Sequence, residues 1–306
     1  MPRHFLSIDD VTPDELGHLL ELAAKVRQSP EDYASRLNGR AVALIFEKPS
    51  TRTRVSFEVG VAALGGHPLA LSSSELQLGR GETIEDTGRV LSRYCDALVL
   101  RTFGQERLEA LAAGASVPVV NSLSDYEHPC QILADLLTVQ EKKRQAKDRT
   151  IAYLGDGNNV AHSLLLGGTM LGMRVRVATP PGFEPIPQVV ERATEIAGLT
   201  GGSVEVTNDP KAAAEDADIL YTDVWASMGQ EREHDERVLV FTPYRLDGAS
   251  VDRAADDVIV LHCLPAHRGE EITDDVIDGP HSVVWDQAEN RLHTQKALLL
   301  WLLGAE

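Results

Sequence analysis

Short apolar runs alternate along this chain with longer stretches in which leucine, valine and alanine recur every three or four positions. The runs "AVALIF" (41–46), "ALVL" (97–100) and "VPVV" (117–120) read as strands, each with a helical pattern after it. A second series begins at "TIAYLGDG" (150–157) and continues with "RVRVAT" (174–179), "SVEV" (203–206), "DILYT" (218–222) and "VIVLHC" (258–263). Continuous apolar strands separated by helices predict parallel sheets with both faces covered. Near the start, Thr12, Pro13 and Glu15 form a capping box with proline at the first helical position, and Leu16, Leu19, Leu20 and Ala23 follow at helical spacing.

Between the two series lies "QEKKRQAKDRT" (140–150), polar and lysine-rich, where a domain boundary is expected. The pattern predicts an α/β protein of two domains, residues 1–140 and 150–288, each a mainly parallel sheet flanked by helices. The final apolar segment, "QKALLLWLL" (295–303), reads as a buried closing helix, and residues 290–306 are expected to pack back on the first domain.

Composition narrows the partners. The 306 residues carry a formal net charge of −18, which argues against nucleic acid and against anionic surfaces. Cys95, Cys130 and Cys263 show no paired spacing, as suits a reducing cytoplasm. No run reaches membrane-spanning length and the first residues lack the apolar core of a signal peptide.

Within this acidic chain, "FEKPSTRTRVSFEVG" (46–60) is locally cationic and rich in hydroxyls. A helix starting near Ser50 or Thr51 presents free backbone N–H groups, and Thr51, Arg52 and Thr53 add donors and charge. Read alone, the stretch is either an N-cap with solvated arginines or an anion site. Phosphate is the anion that a guanidinium fork matches best.

Other polar residues also follow strands, where open α/β sheets bind ligands. Arg101 follows "ALVL". His128 and Gln131, in "HPCQ", sit three residues apart at a helix start, as a cap or as donors to one polar ligand. Asn159 follows "TIAYL"; Asp223, Ser227 and Met228 follow "DILYT"; Cys263 and Leu264 end the last strand. "LGDGNNVAHS" has Val160 where a dinucleotide fingerprint needs its third glycine, which argues against a nicotinamide cofactor. His262, Cys263 and His267 lie close together without a metal site's ligand spacing, and adjacent strand residues point to opposite faces.

Taken together, "STRTR", "HPCQ", "DVWASMGQE" and "HCLPAHRGEEI" resemble the aspartate/ornithine carbamoyltransferase family across essentially the whole chain. The last two resemble its ornithine-using members. The resemblance implies an active site in the cleft between two domains, in a homotrimer or an assembly of trimers. Carbamoyl phosphate, as an already activated donor, is expected to need neither cofactor nor metal. Ser50, Thr51, Arg52 and Thr53 would hold the phosphate of carbamoyl phosphate. Arg101, His128 and Gln131 would address its carbamoyl group, and Gln77 would reach a neighbouring subunit's site. Asn159, Asp223, Ser227 and Met228 match positions that bind the amino acid, and Cys263, Leu264 and Arg291 complete the site. Catalysis is expected from Arg101, His128, Asp223 and Cys263. Aspartate-using relatives carry a lysine in the loop that here reads "GRGE" (79–82), with Arg80 and Gly81. Transfer to L-ornithine is therefore expected. Putrescine or another acceptor, or non-catalytic binding of an anion or amino acid, are the alternatives.

Overall fold

The computed structural model describes residues 2–72, 81–226 and 234–306, of His234 the backbone alone. Gln77, Arg80, Ser227 and Met228 lie outside the described residues. The chain divides into two compact units, Met1–Leu137 with Asn290–Glu306, and Thr138–Glu289.

The first unit opens with α1 (Pro13–Gln28), whose Thr12 hydroxyl accepts from the Glu15 N–H while Glu15 accepts from the Thr12 N–H at 2.8 Å. It continues through β1 (Ala41–Phe46), α2 (Thr51–Ala63), β2 (His67–Ser72), α3 (Ile84–Leu91), β3 (Ala97–Arg101), α4 (Gln105–Gly114), β4 (Val119–Leu123) and the start of α5 (Pro129–Lys143). Its sheet is parallel throughout, in the order β2-β1-β3-β4. The central strands β1 and β3 are buried along nearly their whole length, which explains their unbroken apolar sequence. On one face, Ala43, Ile45, Leu98, Leu100 and Val119 pack with Leu108 and Leu111 of α4.

Two strands depart from the sequence pattern. The edge strand β2 contains Pro68, and a proline without an N–H is tolerated in such a place. β4 starts two residues later than "VPVV" suggests and runs on through Asn121 and Ser122, which are buried polar residues. Asn121 is accommodated by donating from Nδ2 to the Leu6 carbonyl at 2.8 Å.

The second unit holds β5 (Thr150–Leu154), α6 (Asn159–Met170), β6 (Arg174–Ala178), α7 (Pro187–Thr200), β7 (Ser203–Thr207), α8 (Pro210–Ala214), β8 (Ile219–Thr222), α9 (His234–Phe241), α10 (Gly248–Val251), β9 (Ile259–His262) and α11 (Asp274–Ile277). Among the described residues its sheet has five strands, all parallel, ordered β7-β6-β5-β8-β9. Ala152, Leu154, Leu220 and Val260 form one face of its core with Leu246, Ile272 and Val276. The last helix, α12 (Val284–Leu302), returns the chain to the first unit from Asn290 onward.

The segment expected as a polar linker at 140–150 is helical as far as Lys143, because α5 runs through the division. Lys143 is buried and its ammonium is paired with Asp257 at 2.9 Å. The closing helix also begins eleven residues before the apolar run at 295.

Among the described residues, neighbouring strands are followed by chain running to opposite sides between β1 and β3 in one sheet and between β5 and β8 in the other. Such switch points open a crevice at the carboxyl ends of the strands. Ser50–Thr53 follow β1 and Thr102 follows β3; Asp156–Asn159 follow β5 and Asp223 follows β8.

Candidate active site

In the first unit, Ser50 caps α2: its Oγ accepts from the Thr53 N–H at 3.3 Å, with Ser50 itself in an extended conformation. Serine before a helix favours this geometry because its oxygen replaces a missing backbone acceptor. The helix start then offers the remaining N–H groups of its first turn and the positive end of its dipole. Thr51 and Arg52 are exposed and Thr53 is buried. Arg54 belongs elsewhere, since it forms a surface pair with Glu58 at 2.9 Å.

The close approach of α2 to α12 depends on Gly60. A Cβ there would meet Lys296 Cγ at 3.3 Å and Leu292 Cδ1 at 3.4 Å. On the same stretch of α12, Arg291 is buried and donates from Nη2 to Thr53 Oγ1 at 2.7 Å and from Nη1 to Gln131 Oε1 at 2.9 Å. Gln131 in turn donates from Nε2 to Asp135 Oδ1 at 2.8 Å, one helical turn along α5. Residues 53, 131 and 291, on three different helices, therefore form one hydrogen-bonded chain.

His128 sits at the start of α5, its carbonyl accepting from the Gln131 N–H at 2.9 Å. Its imidazole is buried, and burial together with Arg291, Arg101 and Arg52 holds its pKa well below the usual histidine value. A cation is disfavoured by three neighbouring guanidinium groups, so the ring is neutral at pH 7. Neutral imidazole retains one N–H donor. The structure thus brings Arg52, Thr53, Arg101, His128, Gln131 and Arg291 together around the α2 N-terminus. Sequence reasoning missed Lys48, two residues before the cap. Lys48 is buried, pairs with Asp125 at 2.5 Å and lies 4.2 Å over the Phe103 ring. It ties the loop after β1 to those after β3 and β4.

In the second unit, Asp223 is buried directly after β8, and both carboxylate oxygens are engaged. Cys263 Sγ donates to Oδ1 at 2.8 Å and Asn158 Nδ2 donates to Oδ2 at 2.9 Å. Asn158 also caps α6, its Oδ1 accepting from the N–H groups of Val160 at 2.9 Å and Ala161 at 3.2 Å. Asn159, singled out from sequence, is the first residue of that helix. Asn158 was overlooked, although an asparagine immediately before a helix is the expected cap.

Asp156, in the same loop, pairs with the buried guanidinium of Arg237, which also donates to the Trp225 carbonyl and lies 4.9 Å from the Phe183 ring. Burial pushes the Asp156 carboxyl up to about 6, against the pull of Arg237. Cys130 is deeply buried and its thiol is pushed up to about 12, so it is an apolar packing element rather than a nucleophile.

Among the described residues, Asp223, His262 and Cys263 have potential metal-ligand atoms within 4.8 Å of one another. Both nitrogens of His262 are engaged, however. Nδ1 accepts from the Leu264 N–H at 2.8 Å and Nε2 contacts Glu271 Oε1 at 3.0 Å. Within the group the Cys263 thiol bonds the Asp223 carboxylate, while the His262 nitrogens are taken by Leu264 and Glu271.

The chemistry of the two clusters differs. The first is a cationic cradle with neutral donors; the second is a carboxylate held by an amide and a thiol, suited to an ammonium group or an amine. Residues 3–141 match the family described as aspartate/ornithine carbamoyltransferase, carbamoyl-P binding domain, and residues 147–302 match its Asp/Orn binding domain. The chain is 62% identical over 304 residues to an ornithine carbamoyltransferase of Parafrankia sp., covering 98% of this chain and 96% of the relative. It is 58% identical over 305 residues to one of Rhodococcus opacus, covering 99% and 96%. The solved ornithine carbamoyltransferase of Pyrococcus furiosus superposes with a TM-score of 0.96 at 53% identity, covering 99% of this chain and 97% of that one. That of Gloeobacter violaceus gives 0.90 at 49% identity, covering 99% of each. With the fold, both domains and full-length identity in agreement, this chain belongs to the aspartate/ornithine carbamoyltransferase family.

Proposed function

We propose that this protein transfers the carbamoyl group of carbamoyl phosphate to the side-chain amine of L-ornithine, forming L-citrulline and phosphate. The observation that carries the reading is the buried Thr53–Arg291–Gln131 chain beside the α2 N-terminus, with neutral His128 at the start of α5. It supports a site for a small dianion joined to a polar acyl group. The Asp223 cluster supports a cationic or amine-bearing acceptor in the second unit.

In this reading Ser50, Thr51, Arg52 and Thr53 bind the phosphate, and Arg101, His128 and Gln131 the carbamoyl group. Arg291 holds Thr53 and Gln131 in register. The donor is already activated, so the protein needs to align and polarise rather than supply a nucleophile. Thr53, Arg101 and His128 stabilise negative charge developing on the carbonyl oxygen, where one placed donor contributes about 3–4 kcal/mol. Holding amine and carbonyl together contributes on the order of 7–11 kcal/mol. The C–N bond forms as the C–O bond to phosphate breaks, and the amine's proton leaves with the phosphate.

The acceptor must be neutral to react. A side-chain amine with a lysine-like pKa of about 10.4 costs roughly 4.6 kcal/mol to deprotonate at pH 7. Asn159 and Asp223, with Ser227 and Met228, bind the amino acid, while Cys263 and Leu264 complete the site. A homotrimer, or an assembly of trimers, with Gln77 contributed to a neighbouring site belongs to the same reading. So does a cytoplasmic setting, in which all three cysteines remain thiols. Among the described residues no helix is long and apolar enough to cross a membrane.

The test is to mix protein, carbamoyl phosphate and one acceptor at a time, and to measure citrulline and phosphate. Ornithine is expected to react and putrescine, aspartate and acetylated ornithine are not. Equal turnover with putrescine, or binding of both substrates without product, overturns the assignment.

A further inference from the structure

We infer that the buried His262–Glu271 pair is a positioning dyad that fixes the backbone of Leu264 and, through it, the orientation of Cys263 toward Asp223. The inference rests on the proposed function, which puts Cys263 and Leu264 in the site.

The backbone at Leu264 is unusual. Its φ is +57°, a left-handed conformation that is unfavourable for an L-residue, whose Cβ crowds the following carbonyl oxygen. Glycine would adopt it readily, yet the position holds leucine. What holds the turn is the acceptor at its start: the Leu264 N–H donates to His262 Nδ1 at 2.8 Å. Accepting there requires Nδ1 to be unprotonated, so the ring's single proton lies on Nε2. Nε2 faces Glu271 Oε1 at 3.0 Å, where the proton is donated. The glutamate therefore sets the tautomer, and the tautomer supplies the acceptor that Leu264 needs.

The same carboxylate laces the rest of the loop. Glu271 Oε1 accepts from the His267 N–H at 2.6 Å, while the Glu271 carbonyl accepts from the Leu246 N–H at 2.9 Å. The strand end is pinned independently, because the His262 N–H donates to Gln287 Oε1 at 2.9 Å and Gln287 Nε2 reaches the Tyr221 hydroxyl at 3.2 Å. His262 is 1% exposed and Glu271 is fully buried. Neither reaches solvent, and both act through the two residues that follow β9. Between His262 and Leu264, Cys263 has its thiol 2.8 Å from Asp223 Oδ1. A change at Leu264 therefore turns the thiol away from the carboxylate.

Two substitutions separate positioning from bulk. His262→Asn keeps an acceptor near the place of Nδ1, whereas His262→Gln keeps a donor near Nε2 and loses that acceptor. Steady-state citrulline formation is measured for both. His262→Gln is expected to lower kcat/KM for ornithine by about 100-fold, since a displacement near 1 Å is worth that much, and His262→Asn by under about tenfold. Equal losses in the two variants, or none in either, overturn the dyad's role. If neither variant folds, nitrogen-15 NMR of the wild-type histidines decides: His262 is expected as the Nε2–H tautomer at pH 7, and an Nδ1–H or imidazolium signal overturns the inference. Wild-type protein that forms no citrulline refutes the underlying function instead, whatever the ring's tautomer.

Discussion

The guanidinium of Arg291 lies 2.7 Å from the hydroxyl of Thr53, although 238 positions separate them in the chain. Its other arm reaches Gln131 at 2.9 Å. Replacing Arg291 with methionine removes two charge-assisted bonds and leaves two buried polar groups without this partner. Each such bond is worth about 1.5–3 kcal/mol. The KM for carbamoyl phosphate is expected to rise by on the order of 100-fold. The KM for ornithine, measured at saturating carbamoyl phosphate, stays within about threefold. Equal increases for both substrates would mean a general loss of structure.

Arg52 and Arg54 stand two residues apart on α2 but have different surroundings. Arg52 contributes to the field that keeps His128 neutral, while Arg54 pairs with Glu58 on the surface. Arg52→Ala is expected to weaken carbamoyl phosphate binding by at least about tenfold, a loss that calorimetry measures. Arg54→Ala leaves binding unchanged and shifts stability by at most about 0.5 kcal/mol. Matching effects from the two variants would remove Arg52 from the anion site.

Asn158 separates a structural duty from a functional one within a single side chain. Its Oδ1 caps α6 and its Nδ2 holds Asp223. Asn158→Ser keeps a capping oxygen and loses the donor to Asp223. Stability is expected to fall by about 1–3 kcal/mol, because a buried carboxylate oxygen of Asp223 loses this donor. The kcat/KM for ornithine falls by about tenfold, as for loss of one hydrogen bond to a charged group. Asn158→Ala loses the cap as well, for about a further 1 kcal/mol of stability. Denaturant unfolding and initial-rate kinetics on the two variants give both quantities, and unchanged ornithine use in both would detach Asn158 from the site.

The parts of the fold legible in the sequence are those that parallel sheets bury on both faces. β1, β3 and β5 read as strands because nearly every residue in them is apolar and enclosed. β2 was illegible because Pro68 and partial exposure hide an edge strand. The first half of α12 was hidden for the opposite reason. Asn290, Arg291, Thr294 and Gln295 are polar yet buried, and no apolar stripe marks their side of the helix. Arg291 consequently enters the sequence reading only through family resemblance, since nothing near it signals contact with Thr53. His128 and Gln131 were visible as a helix start, but their electrostatic setting depends on guanidinium groups from three other segments. Spacing within one motif cannot express that. Gln77, Ser227 and Met228 lie outside the described residues; Gln77 rests on the resemblance alone, and Ser227 and Met228 on the resemblance and on their place after "DILYT".

His128 and Asp156 bend the pH dependence of stability in opposite directions. His128 has its pKa held below the ordinary 6.5, so below pH 6.5 the unfolded chain binds a proton that the folded chain does not. Stability falls as pH drops from 6.5 toward the folded value, with a limiting slope of about 1.4 kcal/mol per pH unit. Asp156 is raised from 3.8 to about 6, so between these values the folded chain binds the extra proton. Its contribution is greatest below pH 3.8 and is lost as pH rises through 6, by about 3 kcal/mol in all. In urea unfolding from pH 4.5 to 7.5, His128→Gln is expected to lose less stability than wild type on acidification below 6.5. Asp156→Asn is expected to lose more, because the compensating proton uptake is gone. Parallel curves for wild type and both variants would mean that neither side chain titrates differently in the folded protein. A reversal of the two slopes would mean that Arg237 outweighs burial at Asp156, and that His128 has a carboxylate for a partner instead of the three arginines.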